Sequence, residues 1–240
     1  MPRSDYPDKL LYFQHANIRT MSLRSFLASI EPEAIPFPLS RMYSILTGSA
    51  VFRDFYSTVT IHVEEHMKAG RILDIGTGPG KLPIMIARRN HLLYLVGLDL
   101  SGDMVKIASA AARKKGLTNV EFKQGSADAL PFKDREFDLV ISTLSFHHWK
   151  KPDFALDEIY RVLREGGEAW IYDVSRDIDP ALFSQFKRRY GFLRAWVFRL
   201  HSYTEPFYTI AQVEELAGES RFKKHEIRRM DIAYRLMLYK

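Results

Sequence analysis

The stretch Arg71–Ala87, RILDIGTGPGKLPIMIA, constrains this chain more than any other. Ile72, Leu73 and Ile75 form a short apolar run interrupted by Asp74, the pattern of a strand buried in a parallel sheet. Gly76, Gly78 and Gly80 come directly after, and Leu82, Ile84, Met85 and Ile86 then supply the apolar face of a helix. A strand that turns through glycines into a helix N-terminus brings backbone close to a ligand and aims free N–H groups at it. The spacing narrows the ligand class. A dinucleotide fingerprint requires G-x-G-x-x-G, and Lys81 stands where its third glycine would be. The pattern is D-x-G-x-G-x-G instead. Its acid, Asp74, disfavours a pyrophosphate and favours a ligand that carries an ammonium group.

The rest of the chain alternates strand and helix around this turn. Strands are expected at 71–75, 93–98, 120–124, 137–143 and 168–174, with helices at 80–89, 102–115 and 153–164. Such alternation builds a parallel sheet covered on both faces. A helix at 209–218 and two strands, about 222–230 and 232–239, would close the sheet with an antiparallel pair at its edge. Upstream, residues 1–35 have apolar positions without a clean period, and Pro32, Pro36 and Pro38 punctuate the end of this arm. Between Ser40 and Met67 apolar residues recur at helical spacing, with a break at Gly48 and an end at Gly70. The expected organisation is an N-terminal arm and helical cap over 1–69 and a core over 70–240, with 177–203 as an insertion.

Leu73–Gly80 resembles motif I of the class I S-adenosylmethionine-dependent methyltransferases. Three later blocks, Gln124–Phe132 (QGSADALPF), Phe137–Trp149 (FDLVISTLSFHHW) and Leu156–Val174 (LDEIYRVLREGGEAWIYDV), resemble the methyltransferase type 11 branch that includes ubiquinone/menaquinone methyltransferases. The match runs over roughly Arg71–Val174. The resemblance implies a Rossmann-like α/β fold, with a seven-stranded, mostly parallel sheet and an antiparallel last strand, and S-adenosylmethionine as cofactor. It assigns Asp74, Gly76, Thr77, Gly78 and Gly80 to the cofactor turn.

Asp99, which ends the second strand, could accept both ribose hydroxyls, as the acid after a glycine loop does; it could equally cap the helix ahead of Ser101. Leu100 and Met104 would flank the adenine or belong to the core. Relatives often carry Asp at the position of Ser126. Here the Ser126 hydroxyl would accept more weakly from the adenine amino group, with the Ala127 N–H donating to the ring, and Asp128 is a second acceptor. Ser142 would offer backbone to the ammonium. His147 or His148 could serve as a general base, because imidazole titrates near working pH; alternatively one packs under Trp149 and the other is solvated. The Gly166-Gly167 turn is read as architecture, leading from helix into strand.

Composition sets the remaining bounds. The 240 residues, 46% hydrophobic and 27% charged, suit one globular domain with an appended cap. No cysteine is present, which removes disulfides, thiolate metal sites and thiol catalysis; no metal is expected. No apolar run reaches the ~20 residues of a membrane span, the start MPRSDYPDK is unlike a signal peptide, and the expected compartment is the cytoplasm. The net charge of +6 is uneven. Residues 176–204 carry six basic side chains (Arg176, Lys187, Arg188, Arg189, Arg194, Arg199) against Asp177 and Asp179, a balance of +4. That is either a solvated face or a patch for an acidic substrate, anionic lipid or RNA.

Phe183, Phe186, Tyr190, Leu193, Trp196 and Val197 fall along one helical stripe. Such a helix either buries its stripe on the sheet or forms a lid over the cleft with the 40–67 helices. On the lid reading Tyr43, Phe186 and Tyr190 line the substrate pocket. The expected activity is methyl transfer to a small, apolar or aromatic molecule, by a monomer or homodimer. The competing readings are an RNA or protein methyltransferase and a non-catalytic cofactor-binding module. Against base-amine methylation, Ser142-Thr143-Leu144-Ser145 stands in place of the [DN]-P-P-[YF] signature.

Overall fold

The computed structural model describes residues 50–230 and 232–240, without the side chains of 193, 197, 200, 201, 203 and 204. The arm over 1–35, the break at Gly48 and Tyr43 lie outside the described residues. Helix α1 (Ala50–His66) leads into β1 (Gly70–Ile75), α2 (Lys81–Arg89), β2 (Leu93–Asp99), α3 (Gly102–Lys114) and β3 (Val120–Gln124). Next come strand β4 (Phe137–Thr143), a single 3₁₀ turn at Phe146–His148, α4 (Pro152–Val162) and β5 (Leu163–Val174). The chain then forms α5 (Pro180–Tyr190), α6 (Phe192–Thr204), α7 (Ile210–Glu219), β6 (Lys224–Met230) and β7 (Ala233–Tyr239).

The seven strands lie in the order β3-β2-β1-β4-β5-β7-β6. Only β7 runs antiparallel to its neighbours, β5 and β6. The apolar runs seen in the sequence are the reason for this layout, since each central strand is buried on both faces and must be roofed twice. One face is covered by α1, α2 and α3 through Val59, Val63, Leu82, Ile86 and Ala112. The opposite face is covered by α4 and α7 through Leu156, Ile159, Val162, Val213 and Ala217. The strand order reverses direction between β1 and β4, so their carboxyl ends flank the crevice where open α/β sheets bind ligands.

Local chemistry fixes the helix starts. Ser101 caps α3 by accepting from the Met104 N–H. Pro152 opens α4 at a position that needs no donor, and Thr209 and Gln212 form a capping box on α7. The loop of residues 125–134 is pinned to α4: the Glu158 carboxylate accepts from the Leu130 N–H, and Arg161 donates to the carbonyls of Leu130 and Phe132 and to Asp134. Hydrogen bonds from Arg161 hold the Glu158 carboxyl below the usual carboxylate range.

Two expectations need correction. The helix before the fifth strand ends at Val162, and β5 starts at Leu163 rather than 168. The Gly166-Gly167 pair therefore does not lead from helix to strand. It sits in a register irregularity within β5, where Phe137 pairs with Leu163 and Leu139 with Glu168. The single stripe over 183–198 is also broken. Gly191 takes φ 89°, a left-handed value that stops α5, and α6 starts afresh at Phe192.

Candidate cofactor site

The glycine turn stands at the carboxyl end of β1. Gly76, Gly78 and Gly80 all have positive φ (71°, 53° and 73°), and the first and second differ in why they must be glycine. A Cβ on Gly76 would overlap the side chain of Ser145 at the exit of β4. A Cβ on Gly78 would meet no atom within 4 Å. Gly76 is thus required by the protein itself, whereas Gly78 borders open space. Backbone N–H groups of Gly76 and Thr77 both donate to the Leu98 carbonyl, at 2.8 and 2.9 Å, tying the turn to β2.

Two carboxylates face this turn. Asp74 is 2% exposed and accepts from the Thr77 hydroxyl at 2.6 Å through Oδ2. Its Oδ1 is buried and has no hydrogen-bond partner. Burial, and secondarily the charge of Asp99, push the Asp74 carboxyl up to about 7 against the pull of the Thr77 bond. Asp99 accepts from the Gly78 N–H at 2.7 Å and from the Ser101 N–H at 2.9 Å. Burial raises its carboxyl, and these two bonds partly offset the rise. The Asp99 carboxylate therefore holds the glycine turn, and it receives the N–H of the residue that caps α3. Each of its oxygens keeps a second acceptor position for a ligand.

The neighbouring strand adds a second orphan. Ser142 pairs with Ile75 across β1 and β4, is buried, and its Oγ has no hydrogen-bond partner. The register places its side chain on the sheet face opposite to that of Asp74, so what it can bring to the crevice is its backbone. Leu144, next along the exit, has φ 54°, a strained value for leucine.

His147 and His148 form the 3₁₀ turn beyond it. The His147 ring is buried, and its Nδ1 lies 2.9 and 2.8 Å from the two oxygens of Asp173 at the end of β5. The same carboxylate accepts from the His147 backbone N–H at 3.0 Å and is itself fully buried. A carboxylate in this position keeps the proton on Nδ1 and leaves Nε2 as the acceptor. His148 is half-exposed, with Nδ1 3.8 Å from Glu205 Oε2. Trp149 meets Phe146 edge to face, and His147 packs against His148 and Phe207.

The remaining expected residues divide. Leu100 is exposed beside the turn, whereas Met104 is buried in α3. The Ser126 hydroxyl donates to Asp128 Oδ1, and Ala127 is half-buried against the core. Phe186 is 3% exposed in a small cluster with Ala195 and Ile232, and Tyr190 donates to Asp54 Oδ2 at 3.0 Å. The insertion thus does meet the helix that precedes β1. Phe186 itself is enclosed by that packing. Asp173 was not read from the sequence, although it carries the same signal as Asp74 and Asp99: an acid at the end of an apolar strand.

This geometry belongs to a known kind of domain, because residues 73–171 match the family model described as a methyltransferase domain. Residues 73–171 are a methyltransferase domain. Among curated relatives, an uncharacterized methyltransferase of Bacillus subtilis, YcgJ, is 36% identical over 112 residues, 47% of this chain and 44% of that protein. A demethylmenaquinone methyltransferase of Thermus thermophilus is 41% identical over 97 residues, 40% of this chain and 44% of that protein. The chain thus spans less than half the length of these curated relatives. Among solved structures, a Methanococcus maripaludis protein assigned provisionally to the S-adenosyl-L-methionine-dependent methyltransferases superimposes with a TM-score of 0.65 at 21% identity, covering 84% of this chain and 91% of that one. The fold is the Rossmann-like fold of class I methyltransferases, and the cofactor of such domains is S-adenosylmethionine. The methyltransferase domain fits it: an orphaned carboxylate oxygen at Asp74 for an ammonium, and open space at Gly78.

Proposed function

We propose that this chain transfers a methyl group from S-adenosylmethionine to a small apolar or aromatic acceptor. The observation that carries the reading is Asp74, buried, with Oδ1 unpartnered beside a glycine whose Cβ direction is open. A buried carboxylate with one unused oxygen is suited to an ammonium group and unsuited to a phosphate. In this reading Asp74 and the backbone of Ser142 hold the amino-acid end, and Asp99 accepts the ribose hydroxyls. Leu100, Ser126, Ala127 and Asp128 border the adenine. No helix among the described residues is long and apolar enough to cross a membrane.

When bound, the cofactor supplies a sulfonium methyl that is already a strong electrophile. The protein has to align a nucleophile with it, exclude water and, where the acceptor carries an acidic proton, remove that proton. His147 Nε2 is the acceptor for that proton, with Asp173 holding Nδ1 and stabilising the imidazolium that forms. In this reading helix α1 and the α5–α6 pair, which meet at Asp54, cover the acceptor side. An aromatic acceptor is supported by the aromatic content of that cover and by the relative named for demethylmenaquinone.

A radiolabelled methyl-transfer screen against metabolite extract, lipid fraction and RNA tests the proposal. Label is expected in a small aromatic or apolar product. Label only in RNA or protein would replace the acceptor class. If the chain binds S-adenosylmethionine yet labels nothing, the cofactor-binding module stands instead.

A further inference from the structure

Away from the glycine turn, between α1 and the β5–β7–β6 part of the sheet, lies an open cavity of about 440 Å³. Its floor includes Arg235 of β7, which is only 9% exposed. The guanidinium has five N–H donors. One of them reaches the Tyr172 hydroxyl at 3.5 Å, and Nε is buried with no hydrogen-bond partner. Trp170 and Tyr172 stack on the guanidinium, with ring centroids 5.3 and 5.9 Å from its carbon. No carboxylate of the described residues lies within ion-pair distance of it. An arginine nine-tenths buried, stacked on aromatic rings and lacking an anionic partner is costly to keep in a folded chain.

The acids nearby have other partners or stand at the rim. Glu168 accepts from Trp170 Nε1 at 2.7 Å and lies 3.9 Å from His66. Glu226 is bound to Arg228 at 2.6 Å, and Glu65 is exposed at the edge of the cavity. His62, whose Nδ1 meets the Tyr172 hydroxyl at 3.1 Å, lines the same wall. Its imidazole is held below the usual range by burial and then by the Arg235 charge, with Glu65 pulling the other way. Guanidinium on an aromatic wall is the arrangement that receives a planar or tetrahedral oxyanion by paired N–H bonds. The cavity has room for a small body beyond the anionic group, against Trp170 and Tyr239.

We infer that Arg235 anchors a binding site for a small molecule bearing an oxyanion, carboxylate or phosphate, in the cavity between α1 and the β5–β7–β6 sheet. The inference does not rest on the methyltransferase reading, and its test needs no cofactor. The full chain is titrated calorimetrically with benzoate and, separately, with inorganic phosphate. Saturable one-to-one binding of at least one probe is expected, and which one binds distinguishes a carboxylate from a phosphate ligand. Arg235→Met, with its unfolding midpoint checked, should weaken that binding at least about tenfold, because it removes a charge-assisted pair. Absence of saturable binding by both probes, or unchanged affinity in folded Arg235→Met, overturns the inference. Should Arg235→Met fail to fold, Arg228→Gln at the exposed rim takes its place, with a loss of about threefold or more expected. Unchanged affinity in that variant would likewise overturn it.

Discussion

Asp74 is a carboxyl group held where water cannot reach it, so its behaviour with pH reports directly on the site. Its carboxyl titrates near 7 in the folded chain against an ordinary value of 3.8. Between those values the folded chain keeps a proton that the unfolded chain gives up. The stability it contributes is complete below the ordinary value and is lost as pH rises towards 7. The unfolding midpoint of the ligand-free chain should therefore fall between about pH 4 and pH 7, and Asp74→Asn should flatten that fall; parallel thermal scans decide it. Affinity for S-adenosylmethionine should rise over the same interval, more steeply in the parent than in Asp74→Asn. For Asp99, replacement by Ala removes charge-assisted bonds worth roughly 1.5–3 kcal/mol each. A loss of cofactor affinity of at least about tenfold is expected by calorimetry, and less than threefold would refute the ribose role. Asp74 and Asp99 were legible because each sits beside the glycines or at the end of an adjoining strand. Asp173 carries the same strand-end signal, yet its partner His147 is 26 positions away and only the β4–β5 pairing brings them together. Period and spacing describe neighbours along the chain and say little about such pairs.

At the level of elements, the glycine turn separates two requirements that look identical in sequence. Gly76→Ala must displace Ser145 and hold a positive φ, and should destabilise the chain by more than about 1 kcal/mol. Gly78→Val meets no protein atom at its Cβ and carries only the backbone strain. It should leave most of the fold in place while abolishing cofactor binding. Denaturant titration beside calorimetry distinguishes the two outcomes, and a Gly78→Val chain that binds normally would remove the turn from the site. The strands and helices of the core were readable because burial on both faces or one face leaves a strong period. The α5–α6 break was not, since Phe183 to Val197 keep helical spacing across Gly191 and a glycine inside such a pattern is often tolerated. The start of β5 escaped for the opposite reason. Leu163–Gly167 mixes charges and glycines, and nothing in its pattern marks a strand.

Across the whole molecule, the mostly parallel sheet and the antiparallel last strand came from the alternation and the resemblance, whereas the strand order and the residues by which the insertion meets α1 did not. It joins the start of α1 through Val51 and Asp54, with Tyr190 and Arg189 both on the Asp54 carboxylate. Phe186→Ala with Tyr190→Ala should impair methyl transfer far more than cofactor binding, with transfer and calorimetry run on the same preparation. Survival of both activities would return this pair of helices to a purely structural role. The pairing of β5 carries a consequence for how the protein is made. One edge of β5 rests on β4, and the other is met by β7, about sixty to seventy positions later. A growing chain must therefore carry Ala169, Trp170, Ile171 and Tyr172 on an open strand edge while all of α5, α6, α7 and β6 are still being synthesised. Such an edge invites pairing with another nascent chain. Slow translation through this interval would lengthen the exposure, so yield of folded protein should depend on codon speed after β5 more than before it.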